Sequence, residues 1–469
     1  MIQGWEFQLH RFFLSTVMLL SLPFDILEII AVTVHESETK RYQGLNSPVF
    51  SRVSKGTREI ALQIPRLWST IYFPGPKLRK GHLYTARVHA ERSCGHPLSV
   101  TVFTVRFNAD IMDFIIPLAP RWRYIDFRGP FKFFETLEVA VKDNLQQLET
   151  CVVEVDTHKA FSGRERSDPA STPSEFLFLQ NAPSLRHFFQ HNLQYPYFLV
   201  PLNNLVSFHA TGFSETVSNP TALMHIPLRT CFSSSLVTLS CVVHPILSIT
   251  PTLPNLRRLS LNIHSLPYYS RYTEMVSTVD SFLSKNGSGV ENLTLFNARY
   301  VNPDRPAGTL RRWLGYCPGV LVFTHLGYSL SKFVLQSLIV CDRSDLEGES
   351  NANVLPRLHT FRIIGEHQGS GSILIQMLAS RGWIGSPLGG EQAPAHSDGE
   401  FKCLKAVYAG SIDELDFEFF CHVNQHISSY RRNGFHLETG VTPYWSLTAF
   451  AKRRPLGGEM FSSRITSLI

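Results

Sequence analysis

The chain has 469 residues, of which 43% are hydrophobic and 17% charged, with 29 Gly and 28 Pro. This balance excludes a disordered, collagen-like or coiled-coil chain, and the length suits two or three domains or a small domain followed by a repeat array. The 44 basic and 38 acidic residues give a formal net charge of +6 without a run of five like charges, which argues against a nucleic-acid partner.

An apolar stretch near the start of the chain bears on the cellular compartment. Residues 12–22 are similar to the hydrophobic part of a signal peptide, and the sequons at Asn286 and Asn292 are compatible with secretion. No small-x-small cleavage site follows, and the apolar pattern continues through Asp25 and Glu28, whose charges also exclude an 18-residue membrane span. We therefore expect an intracellular protein, cytoplasmic or nuclear and not in a membrane. A secreted repeat protein stays an alternative.

Residues 22–34 predict a short amphipathic helix. Pro23 near the start and Asp25 in the first turn are helix start signals. The apolar side chains that recur at helical spacing are Leu22, Ile26, Ile29, Ile30 and Val34.

A second helical pattern opens at Pro48 and must end at Pro65. The apolar side chains on its predicted face are Val49, Val53, Ile60, Ala61 and Ile64. Leu67, Trp68 and Ile71 follow as a further apolar cluster, and a Pro-Gly-Pro turn then marks a boundary. We expect residues 17–75 to form a compact domain of two or three helices.

Beyond residue 95, short runs share the template apolar-x-x-apolar-x-apolar, most clearly at Leu256, Leu259 and Leu261. Its ten copies begin at Trp122, Leu148, Leu185, Leu205, Leu236, Leu256, Val290, Val320, Leu358 and Leu404. The template predicts a strand entered through a turn, and the intervals are irregular. Some return segments are predicted to be helical, notably 272–283 and 373–379, whereas 162–174 is predicted to be a loop.

These patterns predict an α/β fold, with a solenoid of strand-and-helix units over 95–440 and a tail at 441–469. An ordinary α/β domain whose strands begin alike is the alternative.

The sequence contains no motif of a hydrolase, a zinc protease, a P-loop or a dinucleotide site. Two His-x-x-x-His pairs occur, His187 with His191 and His422 with His426, and on a helix such pairs could share a metal. No further ligand stands at a suitable spacing, and the first pair falls in a predicted strand. We expect no catalytic residue, no metal and no cofactor.

Residues 22–30, Leu-Pro-Phe-Asp-Ile-Leu-Glu-Ile-Ile, and the Pro-Arg-Leu-Trp run at 65–68 resemble an F-box. The form is the divergent one of fungal proteins that continue with leucine-rich-repeat-like units, and Cys317-Pro318 is similar to the start of such repeats. Ser54 and Thr57 stand where the family usually has Cys and Trp. The resemblance implies an F-box followed by an irregular leucine-rich-repeat-like solenoid.

The resemblance further implies a non-catalytic substrate receptor. Its helices would dock on the Skp-type adaptor of a cullin-RING ubiquitin ligase, and its repeats would hold a protein substrate of unknown identity. The residues that it places at the adaptor contact are Leu22, Pro23, Ile26, Leu27, Ile30 and Val53. Those that it places in the packing of the box or at the border of the contact are Ile60, Pro65, Leu67 and Trp68.

Two interpretations remain open at this point. In one, all ten of these residues belong to the internal core of the helical domain. In the other, the F-box is degenerate and the protein is a non-catalytic repeat scaffold or binding module.

Overall fold

The structure is a computed structural model. The residues that it describes are 21–39, 48, 50–75, 80–156, 175–191, 197–198, 200–211, 235–242, 252–263, 272–296, 306–326, 332–339, 354–364, 377, 406–409 and 436–439. They fall into two compact α/β units, which divide between Pro201 and Leu202. The predicted loop at 162–174 and the predicted tail at 441–469 lie outside the described residues, as do His422 and His426.

The first unit begins with helices and continues as a parallel sheet. Its helices are α1 (Phe24–Thr39), α2 (Phe50–Val53), α3 (Lys55–Leu62), α4 (Lys80–Arg92), α5 (Ala109–Ile115) and α6 (Phe131–Ala140), with 3-10 turns at Pro65–Trp68 and Ile116–Arg121. Its strands are β1 (Thr70–Phe73), β2 (Leu98–Phe103), β3 (Trp122–Pro130), β4 (Thr150–Asp156), β5 (Glu175–Phe176), β6 (His187–His191) and β7 (Tyr197–Phe198). The order in the main sheet is β1-β2-β3-β4-β6, and β5 pairs separately with β7.

The second unit repeats this architecture. Its strands are β8 (Ser207–Thr211), β9 (Thr238–Val242), β10 (Arg258–Asn262), β11 (Asn292–Phe296), β12 (Val322–Leu326), β13 (Thr360–Ile364), β14 (Ala406–Ala409) and β15 (His436–Thr439). Its helices are α7 (Tyr272–Asn286), α8 (Pro306–Gly315) and α9 (Lys332–Leu338), with 3-10 turns at Leu202–Asn204 and Gly287–Gly289. Each strand pairs in parallel with the next one along the chain.

All ten predicted copies of the template coincide with strands, and their apolar positions stack in register. In the first unit the row is Ile71, Val100, Ile125, Cys151 and Phe188, every member of which is buried. In the second unit the row is Phe208, Leu239, Leu259, Leu293, Phe323, Phe361, Val407 and Leu437. The prediction of an α/β fold is therefore confirmed, whereas β1, β2, β5, β7 and β15 were not predicted.

The same turn also precedes six of the strands, β4, β6, β10, β11, β12 and β13. The Leu256 N–H donates to Leu253 O at 3.1 Å, and Val320 makes the same bond to Cys317 at 3.2 Å. One backbone carbonyl then accepts two successive N–H groups of the next strand, as Arg257 O does from residues 291 and 292 at 2.8 and 3.0 Å. The repetition keeps neighbouring strands in one register, because each turn presents the same carbonyl to the next unit.

The predicted helix at 272–283 is confirmed as α7, and the first predicted helix is confirmed as α1. The second helical pattern is interrupted, because Ser54 has an extended backbone and separates α2 from α3. Of the helix predicted at 373–379, only Met377 is among the described residues.

Candidate partner-binding surfaces

Helix α1 begins at Pro23, whose carbonyl accepts the N–H groups of Ile26 at 3.0 Å and of Leu27 at 3.1 Å. One side of the helix packs into the domain. The core cluster that it joins consists of Leu27, Ala31, Val32, Ala61, Ile64, Leu67 and Trp68.

The other side of α1 is also apolar and faces solvent. Leu22, Ile26 and Ile29 are 38%, 43% and 61% exposed. At 100° per residue Ile26 and Ile29 lie about 60° apart and on the opposite side of the helix from Ala31, and Leu22 stands directly before the helix. The helix is therefore apolar on both sides. Packing against the core explains only one of these sides, because a helix that packs on one side usually has polar residues on the other.

Exposed apolar side chains continue onto the next two helices. Among the described residues, ten large apolar side chains are exposed, and six of them lie between residues 22 and 62. We call these six the apolar helical surface: Leu22, Phe24, Ile26, Ile29, Val53 and Leu62. Helices α2 and α3 both contact α1. Single exposed apolar residues are common on proteins, but such a concentration is typical of a binding surface.

The predicted site residues separate into three groups by exposure. Leu22, Pro23, Ile26 and Val53 are exposed, whereas Ile30, Ile60 and Pro65 are half-buried. Leu27, Leu67 and Trp68 are buried in the core. Leu27, which the resemblance placed at the adaptor contact, is thus a packing residue in this structure. Phe24, Ile29 and Leu62 belong to the exposed surface although the resemblance did not point to them.

Ser54 and Thr57, the two departures from the F-box pattern, form the N-terminal cap of α3. The Thr57 N–H donates to Ser54 Oγ at 3.1 Å, and the Ser54 N–H donates to Thr57 Oγ1 at 2.8 Å. Two backbone donors at the start of the helix are thereby satisfied reciprocally. These residues cap α3, in the positions where the F-box pattern usually has Cys and Trp.

Trp68 joins the helices to the first strand and to α4. Its Nε1–H donates to Ala61 O at 2.8 Å, and its ring meets His89 edge to face at 5.1 Å. The Arg92 guanidinium lies 4.5 Å from the ring centre, and His89 Nδ1 lies 2.8 Å from Thr70 O. The helices that carry the apolar helical surface are therefore fixed to β1 and α4 by the contacts of Trp68.

A group of polar and charged side chains occupies the face of the first sheet opposite the buried apolar row. We call it the strand-face cluster, and its members are Tyr124, Asp126, Arg128, Glu154, His187 and His191. Strand pairing places Arg128 beside Glu154 and Glu154 beside His191, so these three form one row across β3, β4 and β6.

Arg128 is the centre of the strand-face cluster. Its Nε and Nη2 lie 3.2 and 3.4 Å from the two carboxylate oxygens of Asp126, and its Nη1 lies 3.5 Å from Glu154 Oε2. Its guanidinium also lies 4.6 Å from the ring centre of Phe103, which Tyr72 meets edge to face at 5.8 Å. The cluster therefore combines two carboxylates, one guanidinium and aromatic rings.

The partly buried setting shifts the titration of these groups. Burial raises the pKa of Asp126, and the charge and hydrogen bonds of Arg128 offset this only in part. Burial opposes the charge of Arg128, but the carboxylates of Asp126 and Glu154 outweigh burial and raise its pKa. Burial, assisted by the Arg128 charge, lowers the pKa of His191 to about 4, so this imidazole is neutral at physiological pH.

The first predicted histidine pair does not converge on one point. His187 and His191 stand at opposite ends of β6, four residues apart on a strand, which separates them by about 13 Å. Among the described residues, no three His, Cys, Asp or Glu side chains are grouped so that they could hold a metal ion.

The sequon at Asn286 lies in the core, because Asn286 is only 2% exposed. Its Oδ1 accepts the Leu253 N–H at 2.6 Å, and its Nδ2–H donates to Phe282 O at 3.1 Å. The amide is thus used to lock the turn before β10 and is inaccessible to glycosylation in the folded chain.

No protein-family model matches the chain, and no curated protein does. In the part of the chain that the structure describes, no helix is both long enough and apolar enough to cross a bilayer.

Proposed function

We propose that the chain is an F-box-type substrate receptor of a Skp-cullin-RING ubiquitin ligase. Its N-terminal helices bind the adaptor, and its strands bind a target protein. The observation that carries this proposal is the exposed apolar side of α1, formed by Ile26 and Ile29, together with the exposed Leu22 directly before the helix. A soluble helix with an apolar stripe opposite its core gains stability when a partner covers that stripe.

The corresponding fold is an F-box-like domain followed by an irregular leucine-rich-repeat-like solenoid. The register of the template rows supports this fold, because neighbouring strands repeat the same apolar positions and the same parallel pairing, and six of them are entered through the same turn. Such a protein performs no bond chemistry. It acts by raising the effective concentration of a bound target near the transferring enzyme, and the adaptor places it in the cytoplasm or nucleus.

A repeat scaffold with a degenerate F-box is the second candidate function. Ser54 and Thr57 favour it, since a capping box stands where the family usually has Cys and the large apolar Trp. In that case the apolar helical surface would meet a partner other than the adaptor.

The test is binding of the purified full-length chain to a purified Skp-type adaptor, measured by calorimetry and co-elution. The test variant is Leu22→Ala, Ile26→Ala, Ile29→Ala. The matched control is Tyr84→Ala, Val139→Ala, since both side chains are exposed and apolar but lie outside the apolar helical surface. Circular dichroism checks that both variants fold.

We expect the wild type and the control to bind, and the triple variant to lose at least about 100-fold in affinity, because each truncation removes a large apolar contact. A folded wild type without adaptor binding would rule out the receptor and favour the scaffold.

A further inference from the structure

We propose that the first sheet binds an Asp or Glu side chain of the target protein at the amino ends of β3, β4 and β6, over Thr150 and beside Arg186. This inference rests on the proposed function, because it names the kind of target segment that the receptor holds. The turns that lead into these strands, 116–124, 142–150 and 177–187, are described without a gap.

Side chains of unequal size leave a gap at this end of the sheet. Strand pairing places Tyr124, Thr150 and His187 side by side in one row, and all three are half-buried. Neighbouring strands lie about 4.8 Å apart, so the backbones of Tyr124 and His187 are separated by about 10 Å. The short Thr150 side chain between these two rings leaves space for a carboxylate above its hydroxyl.

The polar groups around this gap are hydrogen-bond donors that the chain itself does not use. Within the described part of the chain, the side chains of Tyr124, Thr150, Arg186 and His187 take part in no hydrogen bond or ion pair. They offer a phenol, a hydroxyl, a guanidinium and an imidazole. A carboxylate accepts from all four kinds of group, and it gains most from the charged guanidinium.

The protonation states of the two rings suit this role. Burial raises the pKa of Tyr124, so the phenol keeps its O–H proton. Burial and the charge of Arg186 lower the pKa of His187, with Glu149 opposing them, so the imidazole is neutral and donates one N–H. The effect of Arg186 on this pKa also indicates that its guanidinium lies near the imidazole.

The unbalanced charge at this end of the three strands is that of Arg186. Arg123 Nε lies 2.9 Å from Glu149 Oε2, so these two side chains neutralise each other. Asp126, further along β3 on the same face, is held by Arg128 Nε and Nη2 at 3.2 and 3.4 Å. Arg186 is exposed, and a single positive charge among neutral donors is the complement of a single carboxylate.

Phosphate groups and basic side chains fit this position less well. A phosphomonoester carries about −1.5 to −2 charges at pH 7, more than one guanidinium balances. The Glu149 carboxylate also stands next to the site, since the N–H groups of Arg186 and His187 donate to Glu149 O at 2.9 and 3.0 Å. A Lys or Arg side chain would meet the like charge of Arg186.

The test uses labelled peptides of equal length in which Ser alternates with Glu, with Gln or with Lys. A fourth peptide has phosphoserine in place of every second Glu and Gln in place of the others, so that its net charge is about that of the Glu peptide. Binding to the full-length chain is measured by fluorescence anisotropy at physiological salt.

Two variants probe the site and one serves as the control. Arg186→Gln removes the charge, and Thr150→Val removes the hydroxyl but keeps the shape of the side chain. Arg106→Gln is the matched control, because Arg106 is also exposed and without an ion pair in the described part of the chain, but follows the carboxyl end of β2. Circular dichroism checks that all three variants fold.

We expect the Glu peptide to bind at least about tenfold more tightly than the Gln, Lys and phosphoserine peptides. Arg186→Gln should weaken binding of the Glu peptide at least about tenfold and Thr150→Val at least about fivefold, because each removes a hydrogen bond to a charged group. Arg106→Gln should change the affinity less than about twofold.

Four results would overturn the inference: no preference for Glu over Gln, tighter binding of the phosphoserine peptide, unchanged affinity in Thr150→Val, or equal losses in Arg186→Gln and Arg106→Gln. The last result would mean that only net charge matters. Adaptor binding measured on the same samples keeps this result separate from the fate of the proposed function.

Discussion

Asn286 shows how one buried side chain holds a repeat in place. Its amide bonds the Leu253 N–H in the turn before β10 and the Phe282 carbonyl of α7. We predict that Asn286→Ala lowers the free energy of unfolding by about 1–3 kcal/mol, because the Leu253 N–H loses its acceptor in a buried turn.

Chemical denaturation of the full-length chain measures this loss. Ser284→Ala, which removes an exposed hydroxyl from the same helix, serves as the control and should stay within about 0.5 kcal/mol of the wild type. Equal stability of Asn286→Ala and wild type would show that the turn does not depend on the amide.

His191 predicts a dependence of stability on pH. Its folded-state pKa of about 4 lies below the ordinary value of 6.5, because burial and Arg128 disfavour the charged imidazolium. The stabilising contribution is therefore fully present above pH 6.5 and is lost as the pH falls toward 4, by at most on the order of 3 kcal/mol.

We expect His191→Gln to reduce the fall in Tm between pH 7.5 and pH 5, because the variant has no proton to take up at this position. His96→Gln, a change at an exposed histidine, should leave the fall unchanged. The same slope in all three proteins would contradict the assignment.

At the scale of single elements, the turn at Gly287 depends on the absence of a side chain. A Cβ there would stand 2.5 Å from Tyr316 O and 2.9 Å from Cys317 Sγ, both in the next repeat. We predict that Gly287→Ala lowers the free energy of unfolding by about 1–3 kcal/mol, since a backbone carbonyl would have to move.

Gly315→Ala is the matched control, because no atom lies within 4 Å of its Cβ position in α8. We expect it to leave stability unchanged or to raise it by about 0.5–1 kcal/mol, as alanine favours a helix over glycine. Thermal unfolding of the two variants distinguishes close packing between repeats from a general intolerance of substitution.

Helix α1 was predictable as a helix but not in its orientation. Pro23 and the apolar spacing mark its start and type, but both of its sides are apolar, so the sequence alone does not identify the core side. The contacts with Ala61 and Leu67 decide this and bury Leu27 while leaving Ile26 exposed.

Substitutions of the adjacent residues Leu27 and Ile26 are therefore expected to have opposite effects on stability and on partner binding. Leu27→Ala should cost about 2–5 kcal/mol of stability through a core cavity, whereas Ile26→Ala should stay within about 0.5 kcal/mol and weaken partner binding. Denaturation and adaptor titration of both variants measure the two effects. A large stability loss in Ile26→Ala would remove this residue from the proposed contact.

Across the part of the chain that the structure describes, local sequence patterns predicted ten of the fifteen strands but not the polar face of the sheet. The template positions are two and three residues apart, so the sequence displays them directly. Phe103, Arg128, Glu154 and His191 are separated by about 25 to 37 residues, and only the pairing of β2, β3, β4 and β6 brings them into one row. Strand β1 was missed because four residues directly after a helical turn give too short a pattern.

The two candidate surfaces predict separable functions. The apolar helical surface and the strand-face cluster share no residue, and their chemistries differ, one apolar and the other charged. We predict that Glu154→Gln leaves adaptor affinity unchanged, whereas the triple variant Leu22→Ala, Ile26→Ala, Ile29→Ala loses it. The combined variant should have the same adaptor affinity as the triple variant within about 0.5 kcal/mol, because independent sites do not couple. A larger difference in adaptor affinity would mean that a change at one surface affects the other, for example through the packing of Trp68 against His89 and Arg92.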